Sequence, residues 1–164
     1  MREFDNNGCR VRVVAPRVTA NWLRTEVQPD VAVTLTLLQS RNVDCDGMTV
    51  PVGGDAHEYE WAYGKIIHSL SAQHFGRAYR RHGKLIANFV TLEGDGEVKR
   101  KHLHAGLRCP KHVERSEFIG SIYYHCALAP WVMADVLALP ITDDWTGYTL
   151  KEGSEALLVG HLSF

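Results

Sequence analysis

The sequence lacks most of the signatures that assign a protein to a class at sight. Apolar stretches such as Ala127–Ala129 and Val132–Ala134 fall far short of the roughly 20 residues of a membrane span. The opening Met1-Arg-Glu-Phe-Asp-Asn-Asn has no apolar segment behind its charges, so no signal peptide is expected. The four cysteines, Cys9, Cys45, Cys109 and Cys126, form no C-x-x-C pair. That argues against a disulfide framework or a zinc knuckle and for a reducing compartment. There is no G-x-x-x-x-G-K-[ST] loop, and hence no sign of an ATP-driven motor. Repeats and low-complexity tracts are missing too, which excludes solenoids and collagen-like chains.

Net charge is nearly missing as well, at −1. Its distribution is uneven, however. Between Arg77 and Arg115 there are ten basic and four acidic residues, a local charge of +6, and the remainder carries −7. One basic face able to hold phosphates, with an acidic remainder that keeps the protein soluble, fits this pattern. A solvated helix face followed by a charged hairpin fits it equally. With 164 residues, 45% of them hydrophobic, the chain is expected to form one globular domain.

Residues 1–30 read as an irregular N-terminal extension packed on the domain, with a short β-like run at Val11–Val14 stopped by Pro16. Residues 31–164 read as the domain itself. Val31–Leu38 is rich in β-branched residues and reads as a buried strand, and Arg41–Asp55, with its Asp46-Gly47, Pro51 and Gly53-Gly54 breakers, as loop. From Glu58 to about Arg81 apolar residues recur at helical spacing, with Asp55 or a neighbour as cap. Leu85–Leu92 and Val98–Leu107 are expected to be strands joined by a turn over Glu93-Gly-Asp-Gly-Glu97. A helix capped by Ser116, a strand over Val132–Leu139 and a short helix from about Gly147 complete the order. This β-α-β-β-α-β order predicts an α+β, ferredoxin-like (RRM-like) split β-α-β fold, a central antiparallel sheet with helices packed on it. That arrangement hosts many functions and assigns none.

Three short patterns carry chemistry. His102-Leu-His104 places two imidazoles on one face of a strand, where both can reach one metal ion. Tyr148-Thr-Leu-Lys151 places a phenol and an ammonium on one helical face. A tyrosine, with its ordinary pKa near 10, needs such help to act as a nucleophile. Val33-Thr-Leu-Thr-Leu37, with Thr34-Leu-Thr36 inside it, lies on the first strand. Singly each is weak: an H-x-H arises by accident among nine histidines, and a Y-x-x-K is more often an aromatic anchor beside a solvated lysine.

Taken together and in this order, the three resemble the HUH-type rolling-circle replication initiators, the single-tyrosine Rep endonucleases of small plasmids, phages and single-stranded DNA viruses. The resemblance runs from about Val31 to Gly153, uses Thr34-Leu-Thr36 of the first strand, and includes Lys151-Glu152-Gly153, the Leu107-x-x-Pro110 exit and the Trp145-x-x-Tyr148 approach. It implies an HUH endonuclease fold for residues 31–164. The implied activity is site-specific nicking and rejoining of single-stranded DNA at an origin sequence or hairpin, through a 5′-phosphotyrosine. It further implies Tyr148 as nucleophile, Lys151 as its partner, and Mg²⁺ or Mn²⁺ held by His102, His104 and a third ligand. Glu93 is the first choice for that ligand, ahead of Asn88 and Glu97. Arg77, Arg80, Arg81, Lys99, Arg100 and Lys101 are the candidate phosphate contacts. A helicase would be supplied separately, no membrane is involved, and the location would be the host cytoplasm or the compartment of viral DNA replication. Two other classes stay open. One is a non-catalytic single-strand-binding module on the same sheet, and the other a metal-dependent phosphoesterase of small substrates.

Overall fold

The computed structural model describes residues 16–94, 96–142, 145–151 and 156–164. The Val11–Val14 run, Asp95, the Asp143-Asp144 pair and Glu152-Gly153 lie outside the described residues. The architecture is α+β: a four-stranded antiparallel sheet with helices packed on it.

Chain order runs α1 (Pro16–Glu26), β1 (Val31–Leu37), β2 (Ser40–Cys45), β3 (Met48–Gly53), α2 (Ala56–Phe75), α3 (Arg77–His82), β4 (Asn88–Glu93), β5 (His102–Leu107), α4 (Arg115–Leu128), β6 (Val132–Pro140) and α5 (Trp145–Tyr148). The sheet order is β4-β5-β1-β6, and β2 and β3 form a separate two-stranded ribbon.

The period-2 pattern of β1 and β5 divides the sheet into two unlike faces. Val31, Val33, Leu35 and Leu37 of β1 and Leu103, Ala105 and Leu107 of β5 join the main core, with Tyr59, Tyr63, Ile66, Ile67 and Leu70 of α2 and Phe118 and Ile122 of α4. Alternation turns Thr34, Thr36, His102 and His104 to the opposite face. A smaller second core covers part of that face: Ala20, Leu23 and Val27 of α1 meet Ala87, Phe89 and Leu150, with Trp145, Leu157 and Leu162 at its margin. Gly106 makes this contact possible, because a Cβ there would sit 2.3 Å from the Phe89 ring.

Several local expectations are corrected. Pro16 opens a helix, where a first-turn proline costs no hydrogen bond, so residues 16–26 are not irregular. The segment read as loop after residue 40 is the β2–β3 ribbon, turning at Asp46 and Gly47 with φ of 52° and 80°. The long helix is capped by the Asp55 carboxylate, which accepts from the Glu58 N–H at 2.9 Å, but it breaks at Gly76, where φ is +47°. Helix α4 begins at Arg115, with Glu114 and not Ser116 at its N-cap. The hairpin strands are shorter than expected, Asn88–Glu93 and His102–Leu107. No helix among the described residues is long and apolar enough to cross a membrane.

Candidate active site

Register places the site. Strand β5 pairs with both β1 and β4, so His104 lies between Thr34 and Thr91, and His102 between Thr36 and Glu93. The turn that sets Glu93 opposite His102 starts at Gly94, with φ of +91°; a Cβ there would sit 2.4 Å from the Arg100 carbonyl oxygen. Only glycine accepts that conformation without strain.

The Glu93 carboxylate is fully buried, and its Oε2 gathers the side-chain nitrogens of the site. Lys151 Nζ lies 3.0 Å away, Lys99 Nζ 3.3 Å and His102 Nε2 3.5 Å. His104 Nε2 lies 3.8 Å from the same oxygen. A buried carboxylate is tolerated only when paired in this way.

Hydrogen bonds set the ring orientations. His102 Nδ1 is 2.9 Å from the Arg100 carbonyl, which can only accept, so Nδ1 carries a proton and Nε2 is the nitrogen turned toward Glu93. His104 Nδ1 is 2.9 Å from Thr34 Oγ1, and a proton held there frees Nε2. Burial lowers the His104 pKa to about 4, the nearby carboxylate only partly opposing it, so the ring is neutral near pH 7. A neutral imidazole with one nitrogen hydrogen-bonded and the other free is the form that ligates metals.

Two buried polar atoms of the site, Glu93 Oε1 and His104 Nε2, have no hydrogen-bond partner. Such atoms are costly unless something binds them. Glu93, His102 and His104 each offer one ligand atom, all within 4.8 Å of one another. The triad could hold a metal ion: its donors are of ligating type, already gathered, and partly unsatisfied without one.

The tyrosine half of the site arrives from the other end of the chain. Helix α5 seats Trp145 and Tyr148 against His104, with ring centroids 6.2 and 5.8 Å away. The helix ends at Tyr148, and Lys151 follows in a turn whose N–H reaches back to the Tyr148 carbonyl at 3.2 Å. Lys151 Nζ sits 3.7 Å from the Tyr148 ring centroid. Burial pulls the Lys151 pKa down, but hydrogen bonds to the Tyr148 hydroxyl and to Glu93, and the charge of the latter, more than reverse this and leave it raised. Tyr148 itself is 54% exposed, open to a ligand from solvent.

Among the predicted residues the structure brings together Glu93, His102, His104, Tyr148, Lys151 and Lys99. It does not bring Asn88, which pairs with Leu107 at the far end of the strands and binds the Tyr63 hydroxyl at 2.9 Å. Glu97 is exposed on the turn and outside the ligand triad. Arg100 and Lys101 stay at this end of the sheet, Arg100 beside Met133 Sδ and Lys101 over the Tyr59 ring.

The α3 arginines lie elsewhere. Helix α2 starts beside Leu38, whose carbonyl accepts from the Tyr59 hydroxyl, and its last residue, Phe75, lines a cavity with Leu85 and Arg108. Its 20 residues span about 30 Å. Arg77, Arg80 and Arg81 therefore stand at the end of the sheet away from the histidines. Sequence reasoning missed the seat of Trp145 over His104 and the role of Thr34 as a ring partner. Thr34 was visible only as a strand motif.

Comparison with protein-family models, with curated proteins and with solved structures gives no match.

Proposed function

We propose that the protein is a metal-dependent single-stranded DNA nicking and rejoining endonuclease of the HUH type, initiating rolling-circle replication, with Mg²⁺ or Mn²⁺ as its ion. The observation that carries this reading is the convergence of two sequence-distant sets on one carboxylate. Glu93, in register with His102, is also the 3.0 Å partner of Lys151, which lies over the Tyr148 ring. The sheet order β4-β5-β1-β6, all antiparallel, is also the order of a split β-α-β fold.

In this reading Glu93, His102 and His104 hold the ion, which when bound supplies Lewis-acid polarisation of the scissile phosphate. Thr34 and the Arg100 carbonyl keep both imidazoles turned for that task. The Tyr148 oxygen attacks phosphorus, the P–O bond to the 3′ oxygen breaks, and a 5′-phosphotyrosine forms. The phenolic proton passes to solvent and the departing 3′ oxygen takes one up. Lys151, whose ammonium sits 3.7 Å from the Tyr148 ring centroid, would stabilise the phenolate by charge. Attack of a 3′-hydroxyl on the phosphotyrosine reverses the step and rejoins the strand without ATP.

The test is adduct formation with a panel of labelled single-stranded oligonucleotides in Mn²⁺, read on denaturing gels. The parent forms a covalent adduct that EDTA prevents. Tyr148→Phe forms none, and His102→Ala cuts at least about 100-fold more slowly with its fold intact. Cutting by Tyr148→Phe at the parent's rate overturns the mechanism. Survival of activity on a small nucleotide ester in that variant would point instead to a phosphoesterase.

A further inference from the structure

The α3 arginines and the cavity beside them are unused by the cleavage chemistry. That cavity, of about 260 Å³, opens at the end of the sheet opposite the histidines and is lined by Phe75, Lys84, Arg108, Lys111, His112 and Phe164, among others, with no acidic residue. Lys84 is drawn back against α3, its backbone N–H donating to the Ala78 carbonyl, so the helix that carries the exposed Arg77, Arg80 and Arg81 leads directly into the cavity lining.

Five cations there, Arg77, Arg80, Arg81, Lys84 and Lys111, have no acidic partner among the described residues. Arg108 is held by two carbonyls, Val27 at 2.6 Å and Glu26 at 2.7 Å, which fix its guanidinium without neutralising it. Of the acids near Cys109 in the cavity wall, Asp30 is taken by Arg115 and the Cys109 N–H, and Glu114 and Glu117 stand at the start of α4 outside the lining. Unneutralised charge gathered in this way meets phosphates favourably.

The cavity decides which phosphates. Its size is below that of a drug-sized pocket and suits one planar ring system. Phe164 is 63% exposed at its rim, in a T-shaped contact with Trp22 at 5.4 Å. A base stacked within a duplex cannot enter such a cavity, whereas an unpaired base can.

We infer that this end of the molecule is a second nucleic-acid site, taking an unpaired base of a single strand in the cavity and its flanking phosphates on Arg77, Arg80, Arg81, Lys84 and Lys111. The inference goes beyond the nicking centre and rests on that reading only for the class of ligand. Arg108 of the cavity lining follows His104 by four residues of extended chain, so the site stands on the order of 15 Å from the histidines, and one strand long enough to reach both would be held at two points.

The experiment uses the full chain carrying Tyr148→Phe, in EDTA, so that neither adduct nor ion contributes. Fluorescein-labelled oligothymidylate of 15 nucleotides is titrated by anisotropy at several salt concentrations. Lys84→Glu with Lys111→Glu, and separately Arg80→Glu with Arg81→Glu, weaken binding at least about tenfold and flatten the salt dependence, each lost phosphate contact removing about 0.7 from the slope. Phe164→Ala weakens it about tenfold with the slope unchanged. Circular dichroism of each variant matches the parent. The inference is overturned if both charge-reversal pairs bind as the parent does, or if a duplex of equal length competes as well as the single strand. Adduct formation by the Tyr148 protein in Mn²⁺ is scored independently. Adducts without any effect of the charge reversals discard the second site alone. Binding that the reversals abolish, in a protein that never cuts, discards the nuclease alone.

Discussion

Thr34 has no chemistry of its own in the proposed reaction, yet its hydroxyl is the fixed point against which the His104 ring is set. Groups that orient a ligating imidazole are commonly worth 10- to 100-fold in metal affinity. Thr34→Val keeps the β-branched shape and removes the hydrogen-bond partner. It should weaken Mn²⁺ or Co²⁺ binding about tenfold or more in calorimetric titration, with the melting temperature changed little; an unaltered affinity would show that packing alone orients the ring. At this scale the sequence was legible where spacing constrains direction. Residues i and i+2 of a strand share a face, so the pairing of His102 with His104 followed from the pattern. Glu93 needed the register of the whole hairpin. The position of Lys99 on Glu93 was not legible, because a lysine in a basic run carries no mark of the carboxylate it meets.

The β4–β5 turn shows how an element sets a site. Gly94 has φ of +91° and no room for a Cβ, and its neighbour Glu93 supplies the carboxylate. Gly94→Ala therefore costs stability by strain, about 1–3 kcal/mol in denaturant melts, and lowers metal affinity by displacing the carboxylate. A variant that melts like the parent would show that the turn relaxes freely. Elements with a long apolar period, namely β1, α2, α4 and β6, could be read from the chain. The β2–β3 ribbon was misread although Asp46-Gly47 is a two-residue hairpin signal, because Pro51 and the glycines after it weighed toward loop. Helix α1 was lost for a similar reason: proline after a β-like run reads as a stop, while the same residue is well suited to a first helical turn. The break at Gly76 interrupts a periodicity that continues on either side of it, so nothing in the spacing announced it.

Across the whole molecule, burial shifts several histidines toward the neutral form. Burial lowers the pKa of His74, His125 and His161, and of His104 to about 4. Each folded value lies below the ordinary 6.5, so the unfolded chain takes up protons that the folded chain refuses. This contribution to stability is complete above pH 6.5 and is lost as pH falls through the folded values. Melting temperature in EDTA should accordingly decline from pH 7 to pH 5, and His161→Gln should flatten part of that decline. A flat profile would mean that these rings titrate as they do in water. The charge asymmetry was legible in sequence, but its geography was not. The direction of α2 carries Arg77, Arg80 and Arg81 away from the histidines, and only the folded chain reveals that.

The two halves of the proposed site are anchored in different cores. The candidate metal ligands belong to the paired strands β4 and β5, whereas Tyr148 and Lys151 flank Leu150, a member of the small core built on α1 and Phe89. A few apolar side chains hold that second core, so it can open at a lower free energy than the sheet. Amide hydrogens of the α5 segment would then exchange by local opening while those of β5 wait for global unfolding. A chain in that opened state would still carry its ion ligands in place and have no nucleophile near them.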